Sequence, residues 1–104
     1  MSNAKFETGT VLITKAINNV MNESPVFSTL CQVLLDRHKK GDWGDLVEED
    51  IETNEDALLN EGRILSSYLL SDAVKKQISV NEEKVWIITE WNRSATTILF
   101  PTDY

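Results

Sequence analysis

The sequence predicts an α+β domain, with an N-terminal strand and helices packed on an antiparallel sheet of about three to four strands. Three observations carry that prediction. A short β-branched run opens the ordered part of the chain, at residues 9 to 14. A segment with helical apolar spacing and clear start and stop signals follows it, at residues 24 to 41. The last third then changes period and holds three successive runs rich in Ile, Val, Thr, Trp and Tyr. Helices before a block of strands favour helices on one face of an antiparallel sheet.

Taken in order, GTVLIT (9 to 14) reads as a strand, with Val11 and Ile13 alternating against Thr10 and Leu12. Residues 16 to 22 suit a short helix or a turn, and Asn18, Asn19 and Asn22 weaken both. The next helix is clearer. Ser24 is a good N-cap and Pro25 suits the first helical position. Phe27, Leu30, Cys31, Leu34 and His38 form one stripe, which Val33 and Leu35 widen. Arg37 to Lys40 complement the negative end of the helix dipole, and Gly41 suits a left-handed stop. Beyond the turn, Asp45 and Glu48 have the form of a capping box. Leu46, Val47, Ile51, Leu58 and Leu59 are sparse apolar anchors. Thr53 suits the cap of a second short helix, running to Asn60 and ending at Gly62.

Strands are expected near 63 to 70, 84 to 90 and 95 to 100. A polar connection at 71 to 84 extends the flanking strands, and a tight hairpin turn occupies 91 to 94. Pro101 ends the last strand, because proline cannot donate to a sheet ladder.

Length and composition narrow the class. The 104 residues suit a single domain over 1 to 104. A chain of this size buries roughly two-thirds of its unfolded surface, enough for a core without metal or disulfides. The one cysteine, Cys31, permits no internal disulfide and fits a reducing compartment. No run approaches the ~18 apolar residues of a membrane span, and no signal-peptide core is present. The expectation is a soluble cytoplasmic protein without a cofactor or a metal. P-loop, dinucleotide, zinc-site and nucleophile-elbow patterns do not occur.

Charge is the strongest local signal. Across HKKGDWGDLVEED (38 to 50) the sign reverses at the two glycines. From Asp42 to Glu61 there are nine acidic residues and no basic one, so the rest of the chain sums to +2 within a net charge of −7. Asp42, Trp43, Asp45, Glu48 and Glu49 are therefore candidates for binding a partner. A glycine-flanked Trp offers a large rigid contact surface, although it also suits a plug at the end of a helical layer. Carboxylates at this spacing do not match an EF-hand loop, and helix capping accounts for Asp45 and Glu48. His38, Glu90 and Arg93 are the candidates for chemistry. A carboxylate and a guanidinium at a strand end, with a histidine, have the right types for RNA cleavage. Their structural alternatives are a boundary histidine and a salt bridge pinning the turn. Cys31 reads as a small core residue.

HKKGDWGDLVEED, GRILSSY (62 to 68) and WIITEWNRSATTILFPTDY (86 to 104) together resemble a family of small bacterial proteins without an assigned activity, carried on plasmids and phage-like elements. Some of its members are labelled plasmid-related protein or restriction-system subunit. The likeness covers roughly residues 35 to 104, with Trp91 and Asn92 departing from the pattern. It implies a setting in mobile genetic elements and no activity. Two functions fit these features. The first is a non-enzymatic accessory protein whose acidic surface engages a protein partner, in one form by imitating DNA phosphates. The alternative is a small barnase-like ribonuclease or toxin using Glu90, Arg93 and His38. The negative net charge weighs against that alternative, because nucleic-acid binding gains from neutralising phosphates.

Overall fold

The computed structural model describes residues 4–78 and 80–104. The elements run β1 (Thr10–Ile13), α1 (Lys15–Glu23), α2 (Pro25–Lys39), α3 (Glu48–Asn60), β2 (Ile64–Leu69), α4 (Asp72–Lys75), β3 (Lys84–Thr89) and β4 (Ala95–Leu99). A 3-10 turn, Pro101–Asp103, follows β4. The chain is α+β, with helices packed on a four-stranded sheet in the order β1-β4-β3-β2.

Local signals explain most boundaries. Thr14 caps α1 through its hydroxyl, and Ser24 ends α1 while accepting the Phe27 N–H of α2 at 3.2 Å. Gly41 has φ +81° and receives the chain from a basic last turn. The helix-facing side of the sheet carries Tyr68, Val85, Ile87 and Ile98. They close over Ile17, Val20, Phe27, Cys31 and Leu34 of α1 and α2. A second, smaller cluster joins Trp43, Ala57 and Ile64, with Phe6, Leu46, Ile51 and Leu58 beside it.

The three expected strands form the expected antiparallel sheet, the β2–β3–β4 meander, and β1 joins it in parallel beside β4, which makes the four-stranded sheet mixed. A parallel partner needs a crossover of a dozen or more residues, which α1 to α3 supply. Three local features differ from expectation. Asp45 does not cap α3. Val47 stands at the N-cap without a side-chain bond, and the Asp45 carboxylate accepts the Leu69 N–H instead. Thr53 starts no second helix; it lies inside α3 and donates to the Glu49 carbonyl four residues back. The left-handed residue after α3 is Glu61 (φ 55°), with Gly62 next in line. The connection 71 to 84 does not prolong the strands but holds α4, capped by Ser71, and places Ile78 in the core. Residue 79 of that connection lies outside the described residues.

Candidate functional site

The glycine–tryptophan turn is a clasp on the sheet. Alternate residues of β2 pair with β3, so Leu65, Ser67 and Leu69 turn their backbone groups outward along the sheet edge. Each is met. Ser67 donates to the Trp43 carbonyl (3.1 Å) and accepts from the Asp45 N–H (2.6 Å). Leu69 donates to the Asp45 carboxylate (2.9 Å). The Asn54 amide on α3 binds both the N–H and the carbonyl of Leu65, at 3.1 and 2.6 Å. Gly44 (φ +76°) sits so close that a β-carbon there would collide with the Ser67 carbonyl. Loop and α3 thus do for this edge what another strand would do.

Within the clasp the partner-binding candidates have structural duties. Trp43 is buried, and its indole N–H donates to Glu55 at 2.7 Å. It plugs the smaller core cluster, where burying so large a ring is worth on the order of 2–3 kcal/mol. Asp42 takes a two-point hydrogen bond from Arg37 (2.7 and 3.2 Å) and accepts the Gly44 N–H. The Arg37 guanidinium, then the Gly44 amide, hold the Asp42 carboxyl below its ordinary range against some desolvation. Arg37 also lies over the Tyr68 ring, whose hydroxyl donates to the Asp42 carbonyl. Glu48 and Glu49 are exposed in the first turn of α3.

The chemistry candidates are not brought together. His38 is fully buried, with Nδ1 2.5 Å from the Ser66 hydroxyl and Nε2 2.9 Å from that of Thr89. The string continues to Thr96 (2.7 Å) and ends on the Thr8 carbonyl (2.8 Å). A carbonyl only accepts, so Thr96 donates to it, Thr89 donates to Thr96, and Thr89 must accept from His38. That logic places the ring proton on Nε2 and makes Nδ1 the acceptor of the Ser66 hydroxyl. Burial pushes the His38 pKa down to about 3, so the ring is neutral near pH 7, and the one N–H it keeps is held by Thr89 and is too weakly acidic to serve as a general acid.

Arg93 (φ 59°) is turned into the fold. Its guanidinium donates to the carbonyls of Gly62 (2.6 Å), Ala57 (2.9 Å), Glu90 and Trp91 (both 3.2 Å), and it lies over the Phe6 ring. It closes the C-terminal end of α3 against the β3–β4 turn, and no Glu90–Arg93 ion pair occurs. Glu90 is exposed at that turn. Phe6 packs against both His38 and Trp43, with centroids at 5.2 and 6.1 Å. Cys31 is buried, which raises its thiol pKa to about 12 and leaves it inert.

What remains accessible is the outer side of α3. Glu48, Glu49, Glu52 and Asp56 point away from the buried Asn54 and Ala57, with Leu59 84% exposed among them. None of these acids has a basic partner among the described residues, where the ion pairs are Arg37–Asp42, Lys40–Asp36, Lys75–Asp72 and Lys75–Glu83. Beside the face lies a cleft of about 400 Å3, between Asp50, Asn54, Asp56 and Asn60 of α3 and Arg63 and Leu65 of β2 and its approach. No group of three or more His, Cys, Asp or Glu side chains among the described residues converges as metal ligands. No helix of the described residues is long and apolar enough to cross a membrane.

Sequence reasoning missed the interior hydroxyls, the Asn54 clamp and the Glu55 partner of Trp43. Ser66, Thr89 and Thr96 do share the helix-facing side of their strands with apolar residues, and that alternation was the available signal. Neither family models, curated proteins nor solved structures give a match to this chain.

Proposed function

We propose that this chain is an interaction module that presents the acidic face of α3 to a basic protein surface, in the manner of a DNA mimic. The observation that carries the reading is the placement of acids beyond the first turn. Glu48, Glu49 and Asp50 complement the positive end of an uncapped helix, so stability alone accounts for them. Glu52 and Asp56 lie further along a helix that has no basic residue in its last turn, where negative charge gains nothing from the dipole. Their charge is therefore left free to act on a partner. An unneutralised carboxylate row attracts cationic grooves and speeds encounter with them. Leu59 adds an apolar contact beside the row, and the adjoining cleft carries Asp50 and Asp56 together with Arg63. A setting in mobile genetic elements suits such a protein, since plasmids and phages gain by occupying the nucleic-acid sites of host defences.

The test is a competition assay. Labelled duplex DNA bound to a sequence-nonspecific basic DNA-binding protein is titrated with this chain and followed by fluorescence anisotropy. We expect displacement that weakens steeply with salt, and a loss of at least about tenfold for Glu49→Gln/Glu52→Gln/Asp56→Asn, each charge contributing on the order of 0.5 kcal/mol or more. No displacement, or equal displacement by a folded variant, overturns the DNA-mimic form. The ribonuclease alternative has no observation in its favour.

A further inference from the structure

The two edges of the sheet are treated differently. The β2 edge has each of its outward backbone positions engaged by the clasp and by Asn54. Among the described residues, nothing covers the β1 edge. Thr10 and Thr14 donate to Ser94 and Ile98 alongside β4, so strand alternation turns the backbone groups of Val11 and Ile13 to the open side. No described residue meets them. Around these groups stand three consecutive aliphatic side chains, Val11, Leu12 and Ile13, which are 42%, 48% and 38% exposed. Proteins ordinarily guard an open edge with charge, proline, a bulge or a covering loop, because it is a template for another strand. This strand carries none of those within Thr10–Ile13.

From this contrast we infer that the β1 edge pairs with β1 of a second copy, antiparallel about a two-fold axis, to make a continuous eight-stranded sheet. The strand is self-complementary. With the axis at Leu12, the open backbone groups of Val11 face those of Ile13 in the second copy, and the reverse. Val11 and Ile13 then form apolar cross-strand pairs on one face, and the two Leu12 side chains meet on the other. The flanking charges agree: exposed Glu7 precedes the strand and exposed Lys15 follows it, so reversal brings each toward the opposite charge of the copy.

The acidity of the chain does not oppose this contact. α3 packs on β2, at the far edge of the sheet. Three strand spacings of about 4.8 Å put that edge roughly 14 Å from β1, so the two acidic helices lie at the outer ends, beyond a Debye length of about 8 Å. A four-residue edge is smaller than a standard interface of about 800 Å2 per partner, so the dimer is a weak one, with Kd on the order of 10–100 μM. The inference is independent of the partner that α3 serves, and it leaves both acidic faces open.

Sedimentation equilibrium of the full chain, from about 5 μM to 1 mM, tests it. We expect a concentration-dependent dimer. Val11→Pro removes an open-side donor without touching a β4 bond, and Ile13→Lys places charge on the edge. Each should leave the chain monomeric, with native circular dichroism for Ile13→Lys at least. Lys15→Glu should weaken the dimer severalfold, and Glu7→Lys/Lys15→Glu should restore it. A chain that stays monomeric at 1 mM overturns the inference, as does a dimer that folded Ile13→Lys leaves intact. A charge swap that fails to restore the dimer overturns the antiparallel arrangement.

Discussion

At the scale of single residues, His38 has the largest consequence. Its ordinary value is 6.5 and burial lowers it to about 3 in the fold. Between those values the unfolded chain binds a proton that the folded chain refuses. Stability is therefore full above about pH 6.5 and falls as the pH drops, by about 1.4 kcal/mol per unit. His38 is the only histidine, so no other side chain with an ordinary pKa near 6.5 shares the upper part of that window. Urea unfolding at pH 7 and pH 5 should differ by about 2 kcal/mol. The same pair of measurements on folded His38→Asn, which keeps hydrogen-bonding atoms and does not titrate, should show most of that slope removed; an unchanged slope would sink the assignment. The two glycines of the turn offer a second residue-scale comparison. Both have positive φ, but a β-carbon at Gly41 meets the flexible Lys5 side chain, whereas at Gly44 it meets the Ser67 backbone. Gly41→Ala should cost about 1 kcal/mol and Gly44→Ala appreciably more, since the strain of about 1–2 kcal/mol is joined by displacement of the sheet edge. Equal melting temperatures would contradict the clasp geometry.

The helix α3 is the element where stability and binding pull apart. It has acids in its first turn, no side-chain N-cap and no basic residue in its last turn. Asn60→Lys should therefore stabilise the chain by about 0.3–1 kcal/mol through the dipole. It should also weaken competition with DNA, because it puts a cation beside the acidic face. A variant more stable and equally active in the competition assay would detach function from α3. Asn54 belongs to the same element and faces the other way. Asn54→Ala leaves the N–H and carbonyl of Leu65 without their partner, at a cost of about 1–3 kcal/mol in thermal or urea unfolding. Asn54→Asp should not rescue it, since a carboxylate cannot donate to the Leu65 carbonyl.

For the whole molecule, Arg93 is the tie between layers. One guanidinium gathers carbonyls from the end of α3, from Gly62 before β2 and from the β3–β4 turn. Arg93→Lys should unfold at a lower temperature than the parent, because an ammonium lacks the planar fork that reaches several carbonyls at once. Purified protein should show no RNA cleavage that depends on His38 or Glu90. Cleavage lost in folded His38→Ala and Glu90→Gln would return the ribonuclease reading.

What the sequence determined by itself was local. Helix α2, with Ser24, Pro25 and Gly41, and the strand periods of the last third follow from capping chemistry and alternation, which neighbouring residues alone set. The concentration of acid in α3 is equally a property of one stretch. The tertiary structure alone decided the rest. β1 lies parallel to β4 because the crossover through three helices fixes its direction, and no periodicity records a neighbour so distant in sequence. Asp45 leaves the role of helix cap because the edge of β2 offers its carboxylate a backbone donor. Arg93 and His38 have the side chains of a catalytic site, yet the fold surrounds one with carbonyls and the other with hydroxyls. Trp43, framed by glycines as if for display, is drawn under α3 because burying its ring stabilises more than exposing it.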